Sequence, residues 1–287
     1  MDEKIKIAEQ ENNSGRFASY VAPLLYKIHN EDCRETLAKL PNECIDLVVT
    51  SPPYDDLRKY KGYEFNFEVF TEIANGLFRV MKAGGVIVWV VNDATRNGSE
   101  TGTSFRQALY FKENCGFNLH DTMIWRRSTI PQTGNRYEPQ FEYMFVISKG
   151  TPKTFNPIRV PKLYDDKREF KNGHRDADGN FMQLKVGKDN TKIDYNVWDI
   201  PVGGGLVTKD KIAHEHPAIF PETLAERHII SWSNEGDIIY DPFSGSGTTC
   251  KIADRLGRAW LGSDIAEEYC SVALRRIEND LFTKAST

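Results

Sequence analysis

Several signatures are missing from this 287-residue chain, and each absence narrows what it can be. The cysteines Cys33, Cys44, Cys115, Cys250 and Cys270 are scattered, odd in number and contain no C-x-x-C pair, so neither a zinc site nor a disulfide framework is expected. Such cysteine usage fits a reducing cytoplasm. No apolar run approaches the roughly 18 residues of a membrane span, so no membrane association is expected. The first residues, MDEKIKIAEQENNSGR, are polar and acidic and resemble neither a signal nor a transit peptide. There is no overall basic excess either: 37 Lys and Arg stand against 41 Asp and Glu. That argues weakly against nucleic acid as a partner, because binders usually carry surplus positive charge. Lastly, none of the 13 prolines is followed by cysteine.

What is present is ordinary in bulk, with 40% hydrophobic and 27% charged residues, and distinctive in two short stretches. The first is Thr50-Ser51-Pro52-Pro53-Tyr54. It follows Ile45-Asp46-Leu47-Val48-Val49, a short, β-branched run that reads as a buried strand. Proline has no amide hydrogen and pushes the residue before it into an extended shape. The turn is therefore stiff, with backbone carbonyls left outside the ladder, one hydroxyl at Ser51 and one aromatic ring at Tyr54. Rigid acceptors beside a flat ring suit a planar group carrying an –NH2. In an open α/β sheet, ligands bind outside the carboxyl ends of the strands.

Taken in order, residues 1–20 read as an N-terminal arm. Leu24 to Ile28 reads as a strand, and Cys33 to Leu40 as a helix with Asp32 as N-cap. Residues 55–66 form a polar, aromatic loop. The apolar spacing from Phe67 to Met81 predicts a helix, stopped by Lys82-Ala83-Gly84-Gly85. Val86 to Val91 is a continuous apolar run and thus a central parallel strand. A helix over Thr103 to Cys115 precedes an antiparallel pair, Phe117–Trp125 and Phe141–Ile147. Strands alternating with helices imply an α/β fold with a doubly wound, mostly parallel sheet. From Gly150 to His214 the periodicity breaks, and basic residues mix with aromatic ones: Arg159, Lys162, Arg175 and Lys192 beside Phe155, Phe181, Tyr195 and Trp198. This segment reads as an insert, either a solvated elaboration or a phosphate- and groove-contacting element. Gly203-Gly204-Gly205 reads as a hinge. Pro221 then opens a helix to Trp232, and Ile238-Ile239-Tyr240 is a short strand.

The second stretch follows that strand: Asp241-Pro242-Phe243-Ser244-Gly245-Ser246-Gly247-Thr248-Thr249. Its glycines permit a tight turn and close approach to a ligand, and the next helix presents free amides and the positive end of its dipole. A P-loop needs a Lys after its final Gly, where Thr248 stands, so that reading fails. A dinucleotide fingerprint is weakened by Cys250 in its third glycine slot. S-adenosylmethionine is the third reading. Its carboxylate suits the helix N-terminus, its amine needs an acceptor such as Asp241, and its ribose hydroxyls suit an acid about 20 residues on. Asp264, ending Ala259-Trp260-Leu261-Gly262-Ser263-Asp264, stands there.

With both stretches in hand, the chain resembles the amino-methyltransferases of bacterial DNA, the N4-cytosine/N6-adenine group. It is similar to the permuted branch in which S/D-P-P-Y/F precedes F-x-G-x-G. The segments FRVMKAGGVIVWV, IWRRS, FEYMFVISKG, VWDIP and HPAIFPETLAERHI follow the family's order. The resemblance implies a Rossmann-like, circularly permuted methyltransferase domain made of 21–149 and 215–287, with 150–214 as target-recognition insert. It implies S-adenosylmethionine held by Asp241, Phe243, Ser244, Gly245, Gly247, Thr248 and Thr249 at the methionine end and by Asp264 at the ribose. Asp32 would lie near the adenine amino group, although Glu31 occupies a position where the family often has Gly. His216 and Phe220 would flank the pocket. The partner would be double-stranded DNA, with a cognate restriction endonuclease and a second copy of the chain as further candidates.

Ser51, Pro52, Pro53 and Tyr54 are the expected catalytic residues. Hydrogen bonds from the amine to Ser51 and the Pro52 carbonyl would draw its nitrogen toward a tetrahedral shape. Tyr54 would stack on a base extruded from the duplex. Methylation at C5 of cytosine needs a Pro-Cys nucleophile in that family and is excluded. Ser at the first motif position resembles the cytosine-N4 members, with N6-adenine as the alternative; methylation of an RNA base or a glutamine amide is a further one.

Overall fold

In a computed structural model, which describes residues 19–54, 65–128, 134–162, 173–183, 190–202, 207–208, 210–216 and 219–285, the apolar runs become one sheet. The expected arm to residue 18, the loop at 55–64 and the 203–205 hinge lie outside the described residues. In chain order the main elements are β1 (Lys27–Asn30), α1 (Cys33–Lys39), β2 (Ile45–Thr50), α2 (Phe67–Val80), β3 (Met81–Val91), α3 (Thr103–Glu113), β4 (Asn118–Arg126), β5 (Phe141–Ser148), β6 (Val197–Asp199), α4 (Glu222–Trp232), β7 (Ile238–Asp241), α5 (Thr248–Arg255), β8 (Ala259–Asp264) and α6 (Glu267–Ala285). The spatial order is β1-β8-β7-β2-β3-β5-β4-β6, and only β5 runs antiparallel to its neighbours.

Alternation along the central strands explains the layers. In β3, Ile87, Trp89 and Val91 join Val48 of β2 on the face covered by α1, α2 and α3. Val86, Val88 and Val90 join Leu47 and Val49 on the opposite face, under α4, α5 and α6. Successive strand side chains point to opposite faces, so a strand covered on both sides must be apolar throughout. That is why Leu47–Val49 and Val86–Val91 carry no polar alternation in the sequence.

Three boundaries differ from expectation for local reasons. Pro23 sits in a short 3-10 turn, Ala22–Leu24, and Tyr26 has φ +58°, so the first strand starts at Lys27. Helix α2 ends at Val80, and Lys82–Gly85 belong to β3 as an irregular entry. Between the pairs Ile45–Met81 and Leu47–Val86, β3 advances by more residues than β2, and Gly84 takes φ +79° to absorb the bulge. Val197–Asp199, inside the expected insert, instead pairs with β4 at the sheet edge.

The chain separates into two compact units, residues 1–156 with 196–287, and residues 157–195. The smaller unit holds two short antiparallel pairs, Arg159–Pro161 with Thr191–Ile193 and Gly173–Arg175 with Phe181–Gln183. Asp176 shapes the second turn by accepting from the Asp178 and Asn180 amides.

Candidate active site

The strand order puts β7, late in the chain, directly beside β2, early in it. Their carboxyl ends therefore carry the two distinctive stretches to one place. Two buried bonds stitch them together: Thr50 Oγ1 donates to Asp241 Oδ1 at 2.6 Å, and Thr249 Oγ1 donates to the Val49 carbonyl at 3.0 Å. Both stretches line a single cavity of about 1400 Å³.

On the β2 side, Pro52 is buried while Ser51, Pro53 and Tyr54 are half-buried against the cavity. The Tyr54 hydroxyl donates to Glu142 Oε2 at 2.8 Å and lies 3.0 Å from Ser51 Oγ. Arg127 Nε stands 3.0 Å from the other oxygen of Glu142. Burial, and then the Glu142 charge, push the Tyr54 phenol well above its ordinary range, so it stays protonated. The ring expected to stack on a ligand is thus anchored at its far end.

On the β7 side, Asp241 is buried and also accepts from the Phe243 amide at 3.1 Å. Burial raises its carboxyl to about 6 despite the hydrogen bonds from the Thr50 hydroxyl and the Phe243 amide. Asp264, at the end of β8, accepts from the Gly245 amide at 2.9 Å and from the Ala266 amide at 2.9 Å. Burial raises its pKa too. The Ser244 hydroxyl is buried and has no hydrogen-bond partner among the described residues. Among the described residues no side chain caps the first turn of α5, so its amides face the loop uncapped. The fully buried Arg276 of α6 fixes the loop from behind, donating to the Ser246 carbonyl at 2.6 Å and to Thr248 Oγ1 at 3.0 Å. Its charge is met by Asp210 at 2.9 Å and Glu222 at 3.1 Å.

Of the residues singled out in sequence, Asp32, Ser51 to Tyr54, His216, Phe220, Asp241, Phe243, Ser244, Gly245, Thr248, Thr249 and Asp264 all line this cavity. Gly247 does not: it is the left-handed N-cap of α5, and a Cβ there would meet the Ala273 Cβ at 2.6 Å, so helix packing demands it. Asp32 caps α1 as expected, but Arg34 already engages both of its oxygens. Pro217 and Ala218 lie outside the described residues. Sequence reading missed Thr50 as a partner of Asp241, and also Arg127, Glu142 and Arg276. A signal existed for Glu142, a lone acid inside the apolar strand Phe141-Glu142-Tyr143-Met144-Phe145. Nothing local marks Arg276, whose importance arises only from α6 packing behind the loop.

Chemically, one wall of the cavity offers acceptors on a rigid corner, and the other offers amides, an unpartnered hydroxyl and two carboxylates. Comparison with known proteins returns a matching pattern. A family described as DNA methylase, of the N6/N4 type, matches residues 45–275. The chain is similar to the orphan methyltransferase M.BamHII of Bacillus amyloliquefaciens, with 55% identity over 82% of this chain and 89% of that one. Among solved structures it is similar to TTHA0409 of Thermus thermophilus complexed with S-adenosyl-L-methionine. That match has 25% identity and TM-score 0.57, covering 89% of this chain and 95% of that one. It also shares the fold of the PvuII DNA methyltransferase (cytosine-N4-specific), with 21% identity and TM-score 0.64 over 89% of this chain and 92% of that one.

Proposed function

The chain belongs to the DNA methylases of the N6/N4 type, and from that premise we propose that it moves a methyl group from S-adenosylmethionine to the exocyclic amine of a base in double-stranded DNA, N4 of cytosine being the target. The observation that carries this reading is the shared cavity: the Ser51 corner and the Asp241–Thr249 loop open onto the same space.

The residues present fit the cofactor. Asp241 and Asp264 are carboxylates held away from water, each with remaining acceptor capacity for an ammonium and for ribose hydroxyls. The orphan Ser244 hydroxyl and the uncapped first turn of α5 supply donors for a carboxylate. A similar chain of 25% identity has been solved with this molecule bound. When bound, S-adenosylmethionine supplies an electrophilic methyl carbon. The protein's own work is positioning: Ser51 Oγ and the Pro52 carbonyl accept the amine hydrogens, and Tyr54 flanks the ring. An amine so held directs its lone pair away from the corner, which is catalysis by orientation and fixed dipoles. The target base must leave the duplex to reach the corner.

Serine at position 51 supports N4 of cytosine, since adenine-N6 members of the family commonly carry Asp there. N6 of adenine remains the second reading, because both bases present a similar amine edge. Target recognition falls to the basic segment 150–214, whose Arg159 and Arg175 are exposed. The 55% relative is named an orphan methyltransferase, which supports a chain acting without an endonuclease of its own. The test is methylation of unmodified DNA followed by nucleoside mass spectrometry. N4-methylcytosine is expected, N6-methyladenine selects the second reading, and label found only in RNA or protein overturns the DNA assignment.

A further inference from the structure

The hydrogen-bond chain behind the proline corner has a direction. Tyr54 has one hydroxyl hydrogen and, among the described residues, three oxygen neighbours: Glu142 Oε2 at 2.8 Å, the Val90 carbonyl at 3.3 Å and Ser51 Oγ at 3.0 Å. A carboxylate and a carbonyl can only accept, so the tyrosine hydrogen goes to them. Arg127 Nε stands 3.0 Å from Glu142 Oε1, so a guanidinium faces the other oxygen of that carboxylate. Ser51 must then donate its own hydrogen to the tyrosine oxygen. What Ser51 presents to the cavity is therefore bare lone pairs.

We propose that Glu142 is a positioning residue that polarises Ser51 into an obligate acceptor and receives, through Tyr54, the proton the target amine loses. The proposal rests on the reading of this cavity as an amine-methylating site. The proton balance closes along the chain. As the nitrogen gains its new bond to carbon it must shed one N–H. That proton passes to Ser51 Oγ, the Ser51 proton to the Tyr54 oxygen, and the Tyr54 proton to Glu142. Both hydroxyls end as they began, one proton rests on the carboxylate, and exchange with solvent through the open cavity returns Glu142 to its ionised form. A neutral amine carrying a methyl group is released. Without the acid, the tyrosine hydrogen is free to turn toward Ser51, and Ser51 is free to aim its own hydrogen at the incoming amine, where it would repel rather than hold it.

Glu142→Gln and Tyr54→Phe test the arrangement, alone and together. The readouts are single-turnover rate with its pH dependence, calorimetric affinity for S-adenosylmethionine, and affinity for target DNA. Glu142→Gln is expected to lower the single-turnover rate roughly 10²-fold, the scale of a proton-transfer contribution. Both affinities should stay within about twofold, the span left when an interaction acts on the chemical step alone. The low-pH limb of the rate profile should disappear with the carboxylate. Tyr54→Phe should cost a similar factor, and the double variant little more than either, because the two act as one unit. An unchanged rate in Glu142→Gln, equal losses in rate and both affinities, or losses that multiply in the double variant would each overturn the proposal. Wild-type protein run alongside separates the two layers: if it methylates no exocyclic amine, the functional reading itself fails.

Discussion

The cavity has two walls built by opposite means. The corner at Ser51-Pro52-Pro53 is rigid because proline removes freedom, and it faces the cavity with acceptors. The loop at Ser244–Thr248 turns because glycine adds freedom, with Gly245 at φ +49° and Gly247 at φ +76°, and it faces the cavity with donors. An acceptor wall suits an amine; a donor wall with acids beside it suits a zwitterion. The sheet joins them only because β7 lies beside β2. The difference teaches that one wall should govern the rate and the other the affinity, and substitutions can break that division.

The largest effect is expected from Ser51→Ala. Removing the acceptor should lower single-turnover methylation about 10²- to 10³-fold, the size typical for one preorganised hydrogen-bonding group. Affinity for S-adenosylmethionine should hardly change. Next comes Asp264→Ala, which removes a carboxylate engaged by the Gly245 and Ala266 amides. Charge-assisted hydrogen bonds contribute about 1.5–3 kcal/mol, so affinity should fall roughly 10- to 100-fold. The rate at saturating cofactor should fall far less. Calorimetry beside rapid-quench kinetics reads both; a swapped pattern would dissolve the two-wall division.

Much of this was legible in the sequence. Proline and glycine announce backbone geometry locally, so both walls stood out, and β-branched runs located their strands. Long-range partners did not. Thr50 reaches Asp241 only after β7 inserts beside β2, and Arg276 reaches Ser246 only after α6 packs behind the loop. Glu142 gave a compositional hint, yet its role depends on Tyr54 sitting across the sheet. The edge strand Val197–Asp199 hid inside an irregular basic segment, since three residues are too few to show a period.

The pH dependence of cofactor affinity sharpens the donor wall. Asp241 carries a proton up to about pH 6 in the free protein, and an ammonium beside it favours the ionised form. The bound state therefore has the lower pKa. Affinity should be full above pH 6 and fall as the pH drops through it, by at most tenfold per unit. Asp241→Asn should bind more weakly at pH 8 and lose that slope. A slope that survives in Asp241→Asn would place the titrating group elsewhere.

The smallest effects distinguish the two glycines. Gly245 lines the cavity, and a Cβ there would stand 3.0 Å from His216 Nε2 while the backbone holds φ +49°. Left-handed strain costs about 1–2 kcal/mol, and the His216 ring must also give way, so Gly245→Ala should weaken cofactor affinity by roughly tenfold. Gly247 faces α6 instead, where a Cβ would meet Ala273 Cβ at 2.6 Å and its Cα at 3.0 Å. Backbone cannot yield as a ring can. Gly247→Ala should therefore lower the melting temperature by several degrees, through overpacking of about 1–3 kcal/mol. The population that remains folded should bind cofactor nearly as well as the unsubstituted chain. If both glycines instead moved affinity and stability together, the loop would be acting as one stiff body, and the packing behind it would matter as much to the ligand as the surface in front.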